Sequence, residues 1–217
     1  MSENAVEFSL NFTYNDAEEA ALKDVRGKIP AGHCIVLCGS SGCGKSTLLR
    51  CLNHLIPEFY DGELSGSCKI NGKDLEKLTI GQTGQLAASV FQDPRSQFFT
   101  LNSNTEIAFG LENSGCPREQ MIEKTEEAFR LFHQEKLKNR NVFSLSGGER
   151  QMIAILSAWA MDTDILLLDE PTANLDHCAV SMLTDALKIL KEKGKTLLIS
   201  EHRLYYLKGI ADEYWQM

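Results

Sequence analysis

The chain has 217 residues, 43% hydrophobic and 24% charged, the composition of an ordinary globular domain, which excludes a disordered or fibrous chain. Its net charge of −8 argues against binding nucleic acid through a broad basic face. No apolar run approaches the roughly 20 residues that span a bilayer, so any membrane link is expected to run through a partner.

The start, Met1 to Glu7, is polar and acidic and carries no secretory signal. Val6, Phe8, Leu10, Phe12 and Tyr14 alternate with mostly polar residues and predict a half-buried strand. Asn11, Phe12 and Thr13 fit a glycosylation sequon, which has no consequence in a cytosolic chain. The apolar run from Cys34 to Cys38 reads as a buried parallel strand. Directly after it, Gly39, Ser40, Ser41, Gly42, Cys43, Gly44, Lys45, Ser46 and Thr47 fit the phosphate-binding loop G-x-x-x-x-G-K-[ST]. Glycines there let the backbone turn tightly and point N–H groups at phosphate oxygens. The helix that follows turns its positive end toward the same anion. Lys45 is expected to reach the β- and γ-phosphates of ATP, and the Ser46 hydroxyl to bind Mg2+.

Further strands are predicted over 62–72, 86–92, Ile165–Asp169 and 195–200. Met121, Thr125, Ala128, Phe129 and Phe132 recur at helical spacing, as do Ala179, Val180, Leu183, Ala186, Leu187 and Leu190. Strands and helices alternate at both ends of the chain, which favours a parallel α/β sheet. The stretch from about 93 to 160 is poor in strands and is expected to form a helical lobe.

Ile165–Asp169 is an apolar strand that ends in two carboxylates, Asp169 and Glu170. Such a strand delivers its last residues to the sheet edge where ligands bind in open α/β folds. Asp169 is expected to hold Mg2+, and Glu170 to orient and deprotonate an attacking water. The seven cysteines, Cys34, Cys38, Cys43, Cys51, Cys68, Cys116 and Cys178, form no C-x-x-C pair and read as reduced thiols of a cytosolic protein. Cys43 lies inside the phosphate loop, where oxidation would obstruct ATP.

At this point the chain closely resembles the ATP-binding-cassette ATPases over nearly its whole length. The resemblance rests on the phosphate loop, Gln92, the signature segment Leu145, Ser146, Gly147, Gly148 and Glu149, Asp169 with Glu170, Asn174 to Asp176, and His202, all in the family order. It implies a phosphate-loop NTPase (RecA-like) parallel-sheet core with an N-terminal antiparallel β part and an inserted α-helical lobe. The whole of 1–217 is then one domain, with 1–92 and 161–217 as the nucleotide-binding core and 93–160 as the signature lobe. It implies ATP hydrolysis between two subunits, each ATP lying between one phosphate loop and the other subunit's Ser146, Gly147 and Gly148. Serine and glycines at a helix start suit an anion, although the same residues taken alone read as a helix cap. Tyr14 matches the aromatic that stacks on adenine, Gln92 the glutamine that touches Mg2+ and the attacking water, His202 the switch histidine at the γ-phosphate, and Asp176 the loop that meets the opposite subunit.

Residues 90–97 (Val90, Phe91, Gln92, Asp93, Pro94, Gln97) and 199–204 (Ile199, Ser200, Glu201, His202, Arg203, Leu204) look like the energy-coupling-factor importers of vitamins and metal ions. That implies a second cassette subunit, identical or related, a transmembrane coupling subunit and a substrate-binding membrane subunit. The chain would sit in the cytoplasm on the inner face of the membrane and bind no nucleic acid. Many cassettes continue well past the switch histidine, so an end at Met217 reads as a trimmed chain, half of a tandem protein, or a compact member. Around Phe98, Phe99 and Leu101, residues 93–111 form either an apolar groove for a partner helix or interior packing of the lobe. A soluble cassette acting on nucleic acid or ribosomes is the alternative function, disfavoured by the acidic charge. A small-molecule kinase is a third, in which the signature segment and switch histidine have no task.

Overall fold

The computed structural model describes residues 4–217. In chain order its elements are β1 (Asn4–Tyr14), β2 (Leu22–Pro30), β3 (Cys34–Cys38), α1 (Lys45–Leu52), α2 (Leu55–Glu58), β4 (Gly62–Ile70), β5 (Lys73–Asp74), α3 (Ile80–Gly84) and β6 (Ala87–Val90). Then follow α4 (Ser103–Asn113), α5 (Arg118–Leu131), α6 (Gly147–Ala160), β7 (Ile165–Asp169), α7 (His177–Glu192), β8 (Thr196–Ser200) and β9 (Glu213–Gln216).

Two sheets organise them. One is antiparallel, in the order β2-β1-β4-β5. The other is parallel, in the order β6-β7-β8-β3-β9. In β3, β7 and β8 every residue except the last of β3 and of β7 is buried, as the continuous apolar runs require of strands covered on both faces. Because side chains alternate along a strand, the parallel sheet feeds two cores. Ile35, Leu37, Ile165, Leu167 and Leu198 join Phe8, Leu10 and Phe12 of β1 and Leu48 and Leu52 of α1 on one side. Val36, Leu166, Leu168, Leu197 and Ile199 join Ile153, Ile155, Leu183 and Leu187 of α6 and α7 on the other.

The expected architecture is present: a parallel core, an N-terminal antiparallel sheet, and α4, α5 and α6 together between β6 and β7. Two strands carry no clear pattern in the sequence. β2 buries only its ends and presents Lys23, Asp24 and Lys28 outward as the edge of its sheet. β9 is short and polar, and is a strand because its backbone pairs in parallel with β3. Asp212 anchors that pairing. Its carboxylate accepts the Cys34 N–H at 2.8 Å and the Lys191 ammonium at 2.8 Å, and its own N–H donates to Cys34 O at 2.8 Å. All seven thiols are free, and burial pushes Cys34, Cys51 and Cys68 up to about 12.

Candidate functional site: a phosphate loop facing two strand-end carboxylates

The strand order β7-β8-β3 brings the ends of three strands to one edge. Residues 39–44 leave β3 and turn into α1, whose N-cap is Gly44 with φ 100°. Only glycine fits there. Besides the left-handed backbone, a Cβ would stand 2.5 Å from the carbonyl oxygen of Ala21. Lys45 is 4% exposed and curls back over the loop, with Nζ donating to Gly39 O at 3.1 Å and Ser40 O at 3.0 Å. Its Nζ also lies 3.7 Å from the Cys43 sulfur. Ser46 Oγ donates to Asp169 Oδ1 at 2.9 Å.

Ser46, Gln92 and Asp169 line one cleft of about 550 Å3. Among the described residues no cluster of three or more His, Cys, Asp or Glu could enclose a metal ion alone. A hydroxyl and a carboxylate side by side are hard oxygen donors, which fit Mg2+, an ion usually held by one or two protein groups plus phosphates and water. Gly39, Gly42 and Gly44 beside them all have positive φ, and the tight turn they make suits backbone N–H donation to a phosphate chain.

Glu170 follows Asp169 with φ 42°, its N–H donating to Ser200 O at 2.9 Å. Its two carboxylate oxygens are held from opposite sides. Gln92 Nε2 donates to Oε2 at 3.0 Å, and His202 Nε2 lies 3.1 Å from Oε1. The three residues read as catalytic in the sequence therefore converge, because β6, β7 and β8 are neighbours and each ends beside the next.

Tyr14, at the end of β1, is tied to the phosphate-loop helix. Its hydroxyl lies 3.1 Å from Thr47 Oγ1 and accepts from Arg50 Nη1 at 3.2 Å. Its ring meets Phe12 edge-on at 4.7 Å, and the Arg50 guanidinium stacks 4.5 Å over Tyr60. The sequence offered no signal for Arg50 or Tyr60.

The signature segment opens α6. Ser146 Oγ accepts the Glu149 N–H at 3.2 Å and Glu149 Oε2 accepts the Ser146 N–H at 2.9 Å, a reciprocal cap. That backbone donation holds the Glu149 carboxyl below the usual carboxylate range. Ser146 and Gly147 are exposed, whereas Gly148 is buried against α7, where a Cβ would stand 2.4 Å from the Ala179 Cβ. Asp176 is exposed and caps α7, its Oδ1 accepting the Ala179 N–H at 2.8 Å.

Phe98, Phe99 and Leu101 divide between the two readings open to them. Phe98 packs on the core, while Phe99 and Leu101 are 74% and 66% exposed. Phe99 stacks on Phe109 with ring centres 4.8 Å apart, and both rings line a groove with Leu55, Phe91 and Met161.

Glu201 went unassigned in the sequence although it stands beside His202. It is 2% exposed and accepts hydrogen bonds from Thr172, Tyr206 and the backbone of 202 and 203. The signal was an acidic residue in an otherwise apolar strand end.

Comparison with known proteins identifies the family of the chain. The ABC transporter family model matches residues 22–173. Curated relatives are 37–45% identical, and this chain spans only 31–42% of their length. YkoD of Bacillus subtilis strain 168, provisionally named for HMP/thiamine import, is 40% identical over 90% of this chain and 36% of its own. Of solved structures, cbiO1 from Clostridium perfringens, part of the ABC transporter complex cbiONQ, superposes with TM-score 0.86 at 28% identity, covering 100% of this chain and 85% of its own. The cassette MJ0796, a dimer in a post-hydrolysis state with ADP and Pi, superposes with TM-score 0.83 at 25% identity, covering 98% of this chain and 94% of its own. With the phosphate loop, the carboxylate pair and the capped signature helix in one fold, the chain belongs to the ABC transporter family as an ATP-binding domain.

Proposed function

We propose that this chain binds and hydrolyses ATP to power a membrane importer of the energy-coupling-factor type, and that it works as one of two cassettes closing on each other. The observation that carries the reading is Glu170, one residue beyond Asp169, gripped between Gln92 and His202. A carboxylate so placed is oriented to take a proton from a water in line with the γ-phosphate. Gly39 to Gly44 would supply backbone N–H groups to the phosphates, with Lys45 countering their charge. Ser46, Asp169 and Gln92 would hold Mg2+, which neutralises charge developing on the phosphate oxygens. The ring of Tyr14 offers a flat face for adenine, and His202 would contact the γ-phosphate.

The second half of the site is supplied by the partner. Ser146 and Gly147 are exposed at the start of a 14-residue helix, where a serine hydroxyl, free N–H groups and the helix dipole favour an anion. Asp176 faces the same interface from the start of α7. ATP then acts as a ligand that binds the closed pair better than the open one, and hydrolysis removes that preference. The dimeric state of MJ0796 supports this arrangement. The helical segment 93–160 moves as the signature lobe against the core formed by 1–92 and 161–217.

No helix among the described residues is long and apolar enough to cross a membrane. Attachment to the inner face would run through a transmembrane coupling subunit docked at the groove of Phe91, Phe99 and Phe109, beside Gln92. YkoD, named for import, and cbiO1, part of a transporter complex, support an importer-type assembly, whose substrate would be chosen by membrane subunits. Light scattering on Glu170→Gln with saturating Mg-ATP is the test. A stable dimer with no phosphate release is the expected result, and a monomer under those conditions would refute the composite site.

A further inference from the structure

We infer that Glu201 is a positioning residue of the hydrolytic site: its carboxylate locks the backbone that carries His202 to the turn that follows Glu170. Glu201 Oε1 accepts the N–H groups of His202 at 2.7 Å and Arg203 at 3.1 Å. Oε2 accepts the Thr172 hydroxyl at 2.7 Å, the Tyr206 hydroxyl at 2.8 Å and the Thr172 N–H at 3.4 Å. The Glu201 N–H donates to Leu37 O at 3.0 Å, one residue short of the end of β3. Arg203 extends the network, its Nη1 donating to Leu175 O at 3.3 Å.

Two segments of the site thus meet on one carboxylate, the turn from Glu170 to Asp176 and the segment bearing His202, while the main chain of the same residue is tied to the exit of β3. The three side chains of the lock are buried, with Glu201 at 2%, Thr172 at 1% and Tyr206 at 7% exposure. Burial first, and then the charge of Glu201, push the Tyr206 hydroxyl far above its ordinary range, so it stays a donor. A buried carboxylate is costly unless donors surround it, and here five do. An apolar residue would fill the same space without fixing two loops to each other. Glu201 touches neither His202's ring nor the Glu170 carboxylate; it sets the backbone from which the His202 ring reaches Glu170.

This role rests on the ATP-hydrolysing reading above, and steady-state hydrolysis by the whole chain with Mg-ATP separates the two. Glu201→Gln keeps the shape but presents a donor to either the backbone N–H pair or the hydroxyl pair. The expected result is kcat lower by about tenfold or more, KM for ATP within about twofold of wild type, and an almost unchanged Tm. Tyr206→Phe, which deletes one hydroxyl, is expected to give a several-fold loss with the same split. The double variant should lose no more than Glu201→Gln alone, since both cut one network. Wild-type kcat in the folded variants, or a parallel loss of ATP affinity, turnover and Tm, would overturn the positioning role. If Glu201→Gln does not fold, Tyr206→Phe decides the question by the same split. Absence of hydrolysis in the wild-type chain would instead remove the parent reading, and this role with it.

Discussion

Ser46 Oγ donates to Asp169 Oδ1 across 2.9 Å, joining the first turn of α1 to the last residue of β7. The two groups come from residues 123 apart in the chain, and only the parallel sheet between them fixes their distance. Removing either should spare the fold, since one such bond contributes about 1 kcal/mol. Ser46→Ala and Asp169→Asn are both expected to raise the Mg2+ concentration needed for half-maximal phosphate release and to lower turnover by on the order of a hundredfold. A Mg2+ titration of hydrolysis, with far-ultraviolet circular dichroism as the folding control, checks this.

Gly148, expected from the sequence to belong to the signature segment, packs between two helices in the fold. A Cβ at this position would meet the Ala179 Cβ at 2.4 Å, so α6 and α7 must separate to admit it. Gly148→Ala is expected to destabilise the fold by about 1–3 kcal/mol through overpacking. Adding Ala179→Gly should return part of that loss, because the two sites are coupled. Urea denaturation of the two single variants and the double variant measures the coupling.

Asp212 makes stability depend on pH. Partial burial opposes its ionisation, but the Cys34 N–H and the Lys191 ammonium outweigh this and hold its pKa below the usual carboxylate range. A lowered folded-state pKa means stability that is fully present above the unfolded value of about 3.9 and is lost as pH falls through the folded one. Asp212→Asn should therefore cost stability at pH 7, on the order of 1–3 kcal/mol, and flatten the decline of Tm below about pH 4. Thermal melts of both proteins from pH 7 to pH 3 decide it.

Phe99 is 74% exposed and lies outside both cores, so its replacement should leave folding untouched. Phe99→Glu is expected to keep ATP binding and a Tm within a few degrees while abolishing co-purification with the proposed membrane coupling subunit, since a charge in an apolar groove is costly to bury. Retained co-purification would place the membrane contact elsewhere.

The parts of the site that were legible in the sequence are those where a backbone conformation demands a residue type. Gly44 needs a left-handed φ, the β7 run must be apolar to be buried, and Asp169 and Glu170 must follow it to reach the edge. What stayed hidden depends on neighbours distant in the chain. β2 is a strand because β1 offers a free edge, and β9 because β3 does, while their own side chains show no alternation. Adjacent Phe98 and Phe99 point to opposite fates, core and groove, which no local pattern distinguishes. Glu201 stood in the sequence as one of the residues 199–204 that carry the subfamily resemblance, with no role of its own until the fold brought Thr172 and Tyr206 to it.

The closeness of Gly44 to Ala21 O ties the antiparallel sheet to the nucleotide socket. Residues 15–20, which connect β1 toward β2, are exposed and so free to vary in length and composition. Any change there that shifts the Ala21 carbonyl by a few tenths of an ångström bears directly on Gly44, the N-cap of α1. A surface hairpin is thereby coupled sterically to the start of the helix that carries Lys45 and Ser46, with every residue of the glycine-lysine motif left in place.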